Sequence, residues 1–152
     1  MKKFENLKRV LTLFMIISLF LSQSALASAK FKDILESHPE RSSIEYLQNN
    51  GIVEGESFYP NRAVLKAEFA EWVLKNAGFN AKGYVPKLKA RFSDLPFQRN
   101  GRNAYVYKLV DLGIISVDES LGEKFWPKRP IKKYEALSWL FQVEGVPVPK
   151  VF

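Results

Sequence analysis

The sequence predicts an all-α fold of tandem helix–loop–helix repeats with short helices. Three observations carry this. First, the stretch from Phe58 to Gly78 returns as Phe125 to Gly145 at a fixed offset of 67 residues. Pro60 matches Pro127, Arg62 matches Arg129, Lys66 matches Lys133, Glu68 matches Glu135 and Trp72 matches Trp139. Second, the duplication extends upstream: Phe31-Lys-Asp33 pairs with Phe92-Ser-Asp94 at offset 61, and Ile44 to Ile52 with Val106 to Ile114 at offset 62. Third, four segments carry apolar residues at helical spacing and each runs into a glycine, the residue that tolerates the left-handed turn closing a helix. The offset grows because a connection lengthens, Gly51 to Pro60 being nine steps and Gly113 to Pro127 fourteen. Insertions confined to loops are what a repeated helical unit tolerates.

Residues 1–29 read as a secretory signal peptide. Lys2, Lys3, Lys8 and Arg9 form a basic start, Val10 to Leu21 an apolar run, and Ser22 to Ala29 a small-residue region with cleavage sites after Ala27 or Ala29. The run is shorter than the ~20 residues a membrane-spanning helix needs, so no transmembrane segment is expected once the signal is cleaved. This pattern predicts export from a bacterial cytoplasm.

Repeat 1 occupies residues 30–79. Asp33 is positioned to hydrogen-bond local backbone, and a helix starts around Pro39, which suits a first helical turn. Ile44, Tyr46 and Leu47 form its apolar side and Gly51 its C-terminal cap. The aromatic-Pro loop leads into a second helix from about Lys66 to Ala77, with Leu65, Phe69, Trp72 and Val73 at helical spacing. Residues 80–91 form a linker rich in Lys and Arg. Repeat 2 occupies residues 92–146, with a helix over Arg102–Leu112 capped by Gly113 and a last helix over Lys132–Glu144. Residues 147–152 form an extended tail.

The 152-residue chain has formal charge +7, of which the signal segment holds +3 and the rest +4. The basic residues are spread over both repeats rather than massed, a charge that permits weak attraction to polyanions such as wall polymers, membranes or nucleic acid and selects none of them; no nucleic-acid partner is expected. There are no cysteines and a single histidine, His38. That excludes disulfides and thiolate metal sites, and no metal or cofactor is expected. Catalysis finds no support either: general acid–base work needs two positioned titratable groups, and Asp33 and Asp94 read as repeat-equivalent capping residues.

The order Phe-x-Asp, a short helix ending in Gly-Ile, an aromatic-x-Pro loop and a helix opening with a Glu-containing tetrad resembles the S-layer homology (SLH) repeat. The likeness covers residues 31–79 and 92–146. It implies a non-catalytic module that holds an exported protein to secondary cell-wall polysaccharide, often pyruvylated. The family tetrad is Thr-Arg-Ala-Glu, whose Thr and Arg line the groove that takes the anionic sugar. Here the tetrads are Leu65-Lys-Ala-Glu68 and Lys132-Lys-Tyr-Glu135, so the charge is kept while the forked guanidinium and the hydroxyl are lost. The family commonly has three repeats, and this chain shows two.

The candidate glycan contacts are therefore Arg62, Lys66, Trp126, Arg129 and Lys133. Glu68 and Glu135 read as structural, complementing the positive end of a helix dipole, as do Gly51 and Gly113. Trp72 and Trp139 read as packing residues, and Trp126 as the ring placed to stack on a sugar. The competing reading is a protein–protein assembly module that has kept the fold and lost the sugar site. Helix–loop–helix arrays bury their apolar faces with about three or more units. Two repeats therefore predict self-association or pairing with another SLH protein, the last helix being apolar on nearly every side.

Overall fold

The computed structural model describes residues 31–87, 92–98, 100–116 and 124–148. The expected signal peptide lies outside them, as do much of the loop before Lys124 and the end of the tail. Among the described residues there are four helices and no strand: α1 (Arg41–Asn49), α2 (Lys66–Asn76), α3 (Arg102–Asp111) and α4 (Lys133–Val143). The all-α expectation holds. α1 begins two residues later than Pro39 because the amides of His38 and Arg41 are taken by carbonyls of Leu35 and His38, which makes this approach a turn. Gly51 and Gly113 both take positive φ, 64° and 71°, just past their helices, as left-handed closure requires.

Each repeat is tied by the same two devices. The Asp33 carboxylate accepts the amide N–H groups of Phe58 (2.8 Å) and Tyr59 (2.6 Å). Asp94 does the same for Phe125 (2.8 Å) and Trp126 (2.9 Å). The aspartates therefore clamp a loop more than twenty residues away, and Asp33 also bonds its own backbone amide, the local contact the sequence suggested. A ladder of rings backs each clamp. Phe31 lies 5.6 Å from Phe58, which stacks at 6.5 Å on Trp72; Phe92 lies 5.3 Å from Phe125, which stacks at 6.2 Å on Trp139. The packing role expected for Trp72 and Trp139 follows directly.

α2 packs against both α3 and α4 and joins the repeats. Its first amides would be orphaned in an isolated helix. Here Lys66 N–H donates to the Arg129 carbonyl (2.9 Å) and Ala67 N–H to the Pro127 carbonyl (3.2 Å), while Ile131 N–H returns a bond to Val64 (2.9 Å). The main core runs across this seam. A smaller one, built on Phe31, Ile44, Ile52 and Val53, seats α1 under Phe58 and Trp72.

The helix buried on nearly all sides is α3, not α4. Ala104, Tyr105, Val106, Tyr107, Leu109 and Val110 are all buried, whereas α4 buries Trp139 alone. α3 is enclosed because the start of the basic linker folds over it. Ala81 is buried, Tyr84 Oη donates to Asp111 Oδ2 at 2.5 Å, and Lys87 N–H donates to the same oxygen at 2.9 Å.

Candidate functional site

The 58–62 loop places an exposed ring beside a charged groove. Tyr59 has φ 58° and Trp126, its counterpart at offset 67, has φ 61°. Left-handed backbone is costly for a bulky residue, and the aspartate clamp is what holds it. The conformation turns each ring outward: Tyr59 is 60 % and Trp126 51 % exposed. Burial of Asp33 works to raise its pKa, but the hydrogen bonds from Phe58 and Tyr59 outweigh it and hold the carboxyl below its usual 3.8.

Tyr59 stands at the edge of a depression of about 230 Å³ floored by Val53, Phe58 and Trp72. A second depression, about 490 Å³, opens beside it, and the two share Glu54, Glu71, Lys75 and Arg102 as walls. α2 supplies Glu68, Glu71 and Lys75 at successive turns of one face, and Arg102 comes from the start of α3 in the other repeat. The groove is thus a product of the junction between repeats.

Its charges alternate along a chain. Arg62 forks onto Glu68 with bonds of 2.9 and 3.0 Å. Arg102 Nε donates to Glu71 at 2.7 Å and its Nη1 lies 3.7 Å from Glu68. Lys75 bridges Glu71 (3.2 Å) and Glu54 (3.0 Å). Hydrogen bonding to Glu68 raises the pKa of Arg62 against the opposing effect of burial. Burial works to lower that of Lys75, but Glu54 and Glu71 raise it overall. A guanidinium has five N–H donors, and Arg62 and Arg102 keep 43 % and 49 % of their side chains exposed. They can turn remaining donors to an incoming carboxylate while the glutamates hold their planes.

The sequence-derived candidates separate in space. Arg62 lies in the groove. Lys66 does not: its Nζ sits 3.3 Å from Glu135 Oε1 and 4.7 Å from the Phe125 ring centre, with only 13 % of the side chain exposed. It pins repeat 1 to repeat 2. Lys133, its counterpart, is exposed at the start of α4. Arg129 is exposed in the repeat-2 loop next to Trp126, whose ring has Lys124 Nζ at 5.1 Å. Glu68 and Glu135 act more directly than through the dipole alone, each accepting the N–H of its tetrad's first residue, Leu65 or Lys132, at 3.0 Å. Burial pushes the pKa of Glu135 up, but the Lys132 amide and the Lys66 charge hold it below the usual 4.5.

Sequence reasoning missed Tyr59, Lys75 and Arg102. The offset that marks Trp126 marks Tyr59 equally. Lys75 and Arg102 carry no such signal, since repeat 2 has Gln142 where repeat 1 has Lys75, and Ser138 where it has Glu71. There the amide of Gln142 simply bonds Ser138 Oγ at 2.9 Å. Among the described residues no cluster of His, Cys, Asp or Glu could hold a metal ion, and no helix is long and apolar enough to cross a membrane.

Residues 30–70 match the family model for the S-layer homology domain, a region holding the Asp33 clamp, α1, the Tyr59 loop and the first turn of α2. No curated protein and no solved structure matches the chain.

Proposed function

We propose that this protein is an exported, non-catalytic module that binds anionic cell-wall polysaccharide at the cell envelope, in the groove where its two repeats meet. The observation that carries this reading is the exposed Tyr59 ring, held on left-handed backbone beside Arg62 and Arg102. A ring face suits the C–H face of a sugar, and a guanidinium suits a carboxylate substituent through paired charge-assisted hydrogen bonds. Lys75 adds a point charge at the far wall. The match of residues 30–70 to a wall-associated domain family supports the same reading. Trp126 and Arg129 are the repeat-2 counterparts and offer a second, simpler contact. Lys66 contributes by fixing the seam between the repeats.

Retention on isolated cell-wall sacculi, with and without their polysaccharide, tests this. Arg102→Ala and Tyr59→Ala are the informative variants, because neither side chain caps a helix. Wild type should be retained only by polysaccharide-bearing walls, and less at high salt, since exposed charges are screened within about 8–10 Å at physiological ionic strength. Both variants should be released while their far-UV circular dichroism stays helical. Undiminished retention of the folded variants would refute the site. A wild-type chain that ignores the polysaccharide would favour the assembly reading instead.

A further inference from the structure

Among the described residues, α4 carries three exposed apolar side chains in register, Tyr134, Leu137 and Phe141, at 65 %, 42 % and 43 % exposure. Their spacing of three and four puts them on one face of the helix. The counterparts at offset 67 are Ala67, Ala70 and Leu74 of α2, and these are 6 %, 0 % and 2 % exposed, buried in one cluster with α3. The same face of the same repeated helix is therefore covered in repeat 1 and open in repeat 2. It has also exchanged two alanines for larger apolar side chains.

The cover cannot be a copy of α3 offered by α1. At offset 62, Ala104, Tyr105 and Tyr107 of α3 become Ser42, Ser43 and Glu45, and both serines are exposed. α1 thus lacks the apolar face with which α3 covers α2. The charges at the two ends of α4 point to a different occupant. Lys132 and Lys133 stand at its N-terminus and Glu144 at its C-cap, all three exposed. Each has the unfavourable sign for its own helix dipole. An antiparallel copy brings the opposite charge to both ends at once. Glu135, in the same first turn, is held by Lys66 on the seam side.

We infer that α4 is a self-complementary docking surface that pairs two copies of this protein antiparallel about a two-fold axis near Leu137. Tyr134 then meets Phe141 of the second copy, the two Leu137 side chains meet at the axis, and Lys133 faces Glu144. A two-fold contact of this kind is closed, using the same patch on both molecules. It is distinct from the groove and does not rest on sugar binding.

Sedimentation of the full chain, recovered from the exported fraction, across a concentration series tests the inference. A monomer–dimer equilibrium is expected. Leu137→Glu should weaken it at least about ten-fold, since it buries two like charges at the axis. Lys133→Glu should weaken it, and adding Glu144→Lys should restore it. Because the chain has no cysteine, Leu137→Cys should cross-link readily on mild oxidation while Tyr46→Cys, on exposed α1, should not. A monomer at every concentration, or a dimer that Leu137→Glu leaves intact with unchanged helicity, would overturn the proposal. A monomer retained on walls defeats this inference alone, whereas a dimer that ignores walls supports it and defeats the groove.

Discussion

Replacing Glu68 by Ala perturbs three contacts with one carboxylate: the amide of Leu65 at 3.0 Å, the fork to Arg62 and the flank of Arg102 at 3.7 Å. Loss of a helix-capping acceptor costs about 1 kcal/mol. The half-exposed Arg62 fork adds up to about 1 kcal/mol, giving about 1–2 kcal/mol in total. For a chain of this size that lowers Tm by about 2–8 °C. The acid dependence gives a second reading. Burial tends to raise the Glu68 pKa, but Arg62, the Leu65 amide and Arg102 outweigh it and hold it below 4.5. The unfolded chain therefore takes up the proton first. The stability contributed by the charge is present above the unfolded value and is lost as pH falls through the folded one. Thermal melts of wild type, Glu68→Ala and Glu68→Gln at neutral and acid pH provide the assay. The gap between wild type and Glu68→Gln should close on acidification. A Glu68→Ala chain that melts with wild type, or a Gln gap that stays constant down the acid limb, would refute the double role of this carboxylate.

Three further outcomes are expected. Leu74→Ala, at one of the largest fully buried side chains, should cost about 2–5 kcal/mol in denaturant unfolding, because α2 is wedged between α3 and α4 and cannot collapse into the space. Tyr59→Gly should leave stability within about 1 kcal/mol of wild type, since relief of the left-handed backbone offsets the lost ring contacts. It should nevertheless reduce retention on cell walls. N-terminal sequencing of the exported protein should begin at Ser28 or Lys30, and an intact Met1 would contradict the proposed export signal.

Local signals account for what could be read before any tertiary structure. Glycines after apolar periods marked all four helix ends, because closing a helix in left-handed backbone is a property of one residue and its immediate neighbours. The 67-residue offset linked Phe58 with Phe125 and Trp72 with Trp139, and the two ring ladders follow it closely. Arg62 was legible because it sits in the duplicated loop that faces the groove.

What the sequence left open concerns contacts between repeats, where equivalent residues meet different neighbours. Lys66 and Lys133 hold the same place in their tetrads, yet one is pinned to Glu135 in the seam and the other is exposed. Arg102 enters the groove only because α3 of repeat 2 crosses α2 of repeat 1. Apolar composition set α4 apart, but within the chain it is α3 that is enclosed, because the linker folds over it. A duplicated sequence specifies each unit through short-range geometry. The seam has a first unit and a last one, and that asymmetry exists only once the chain has folded.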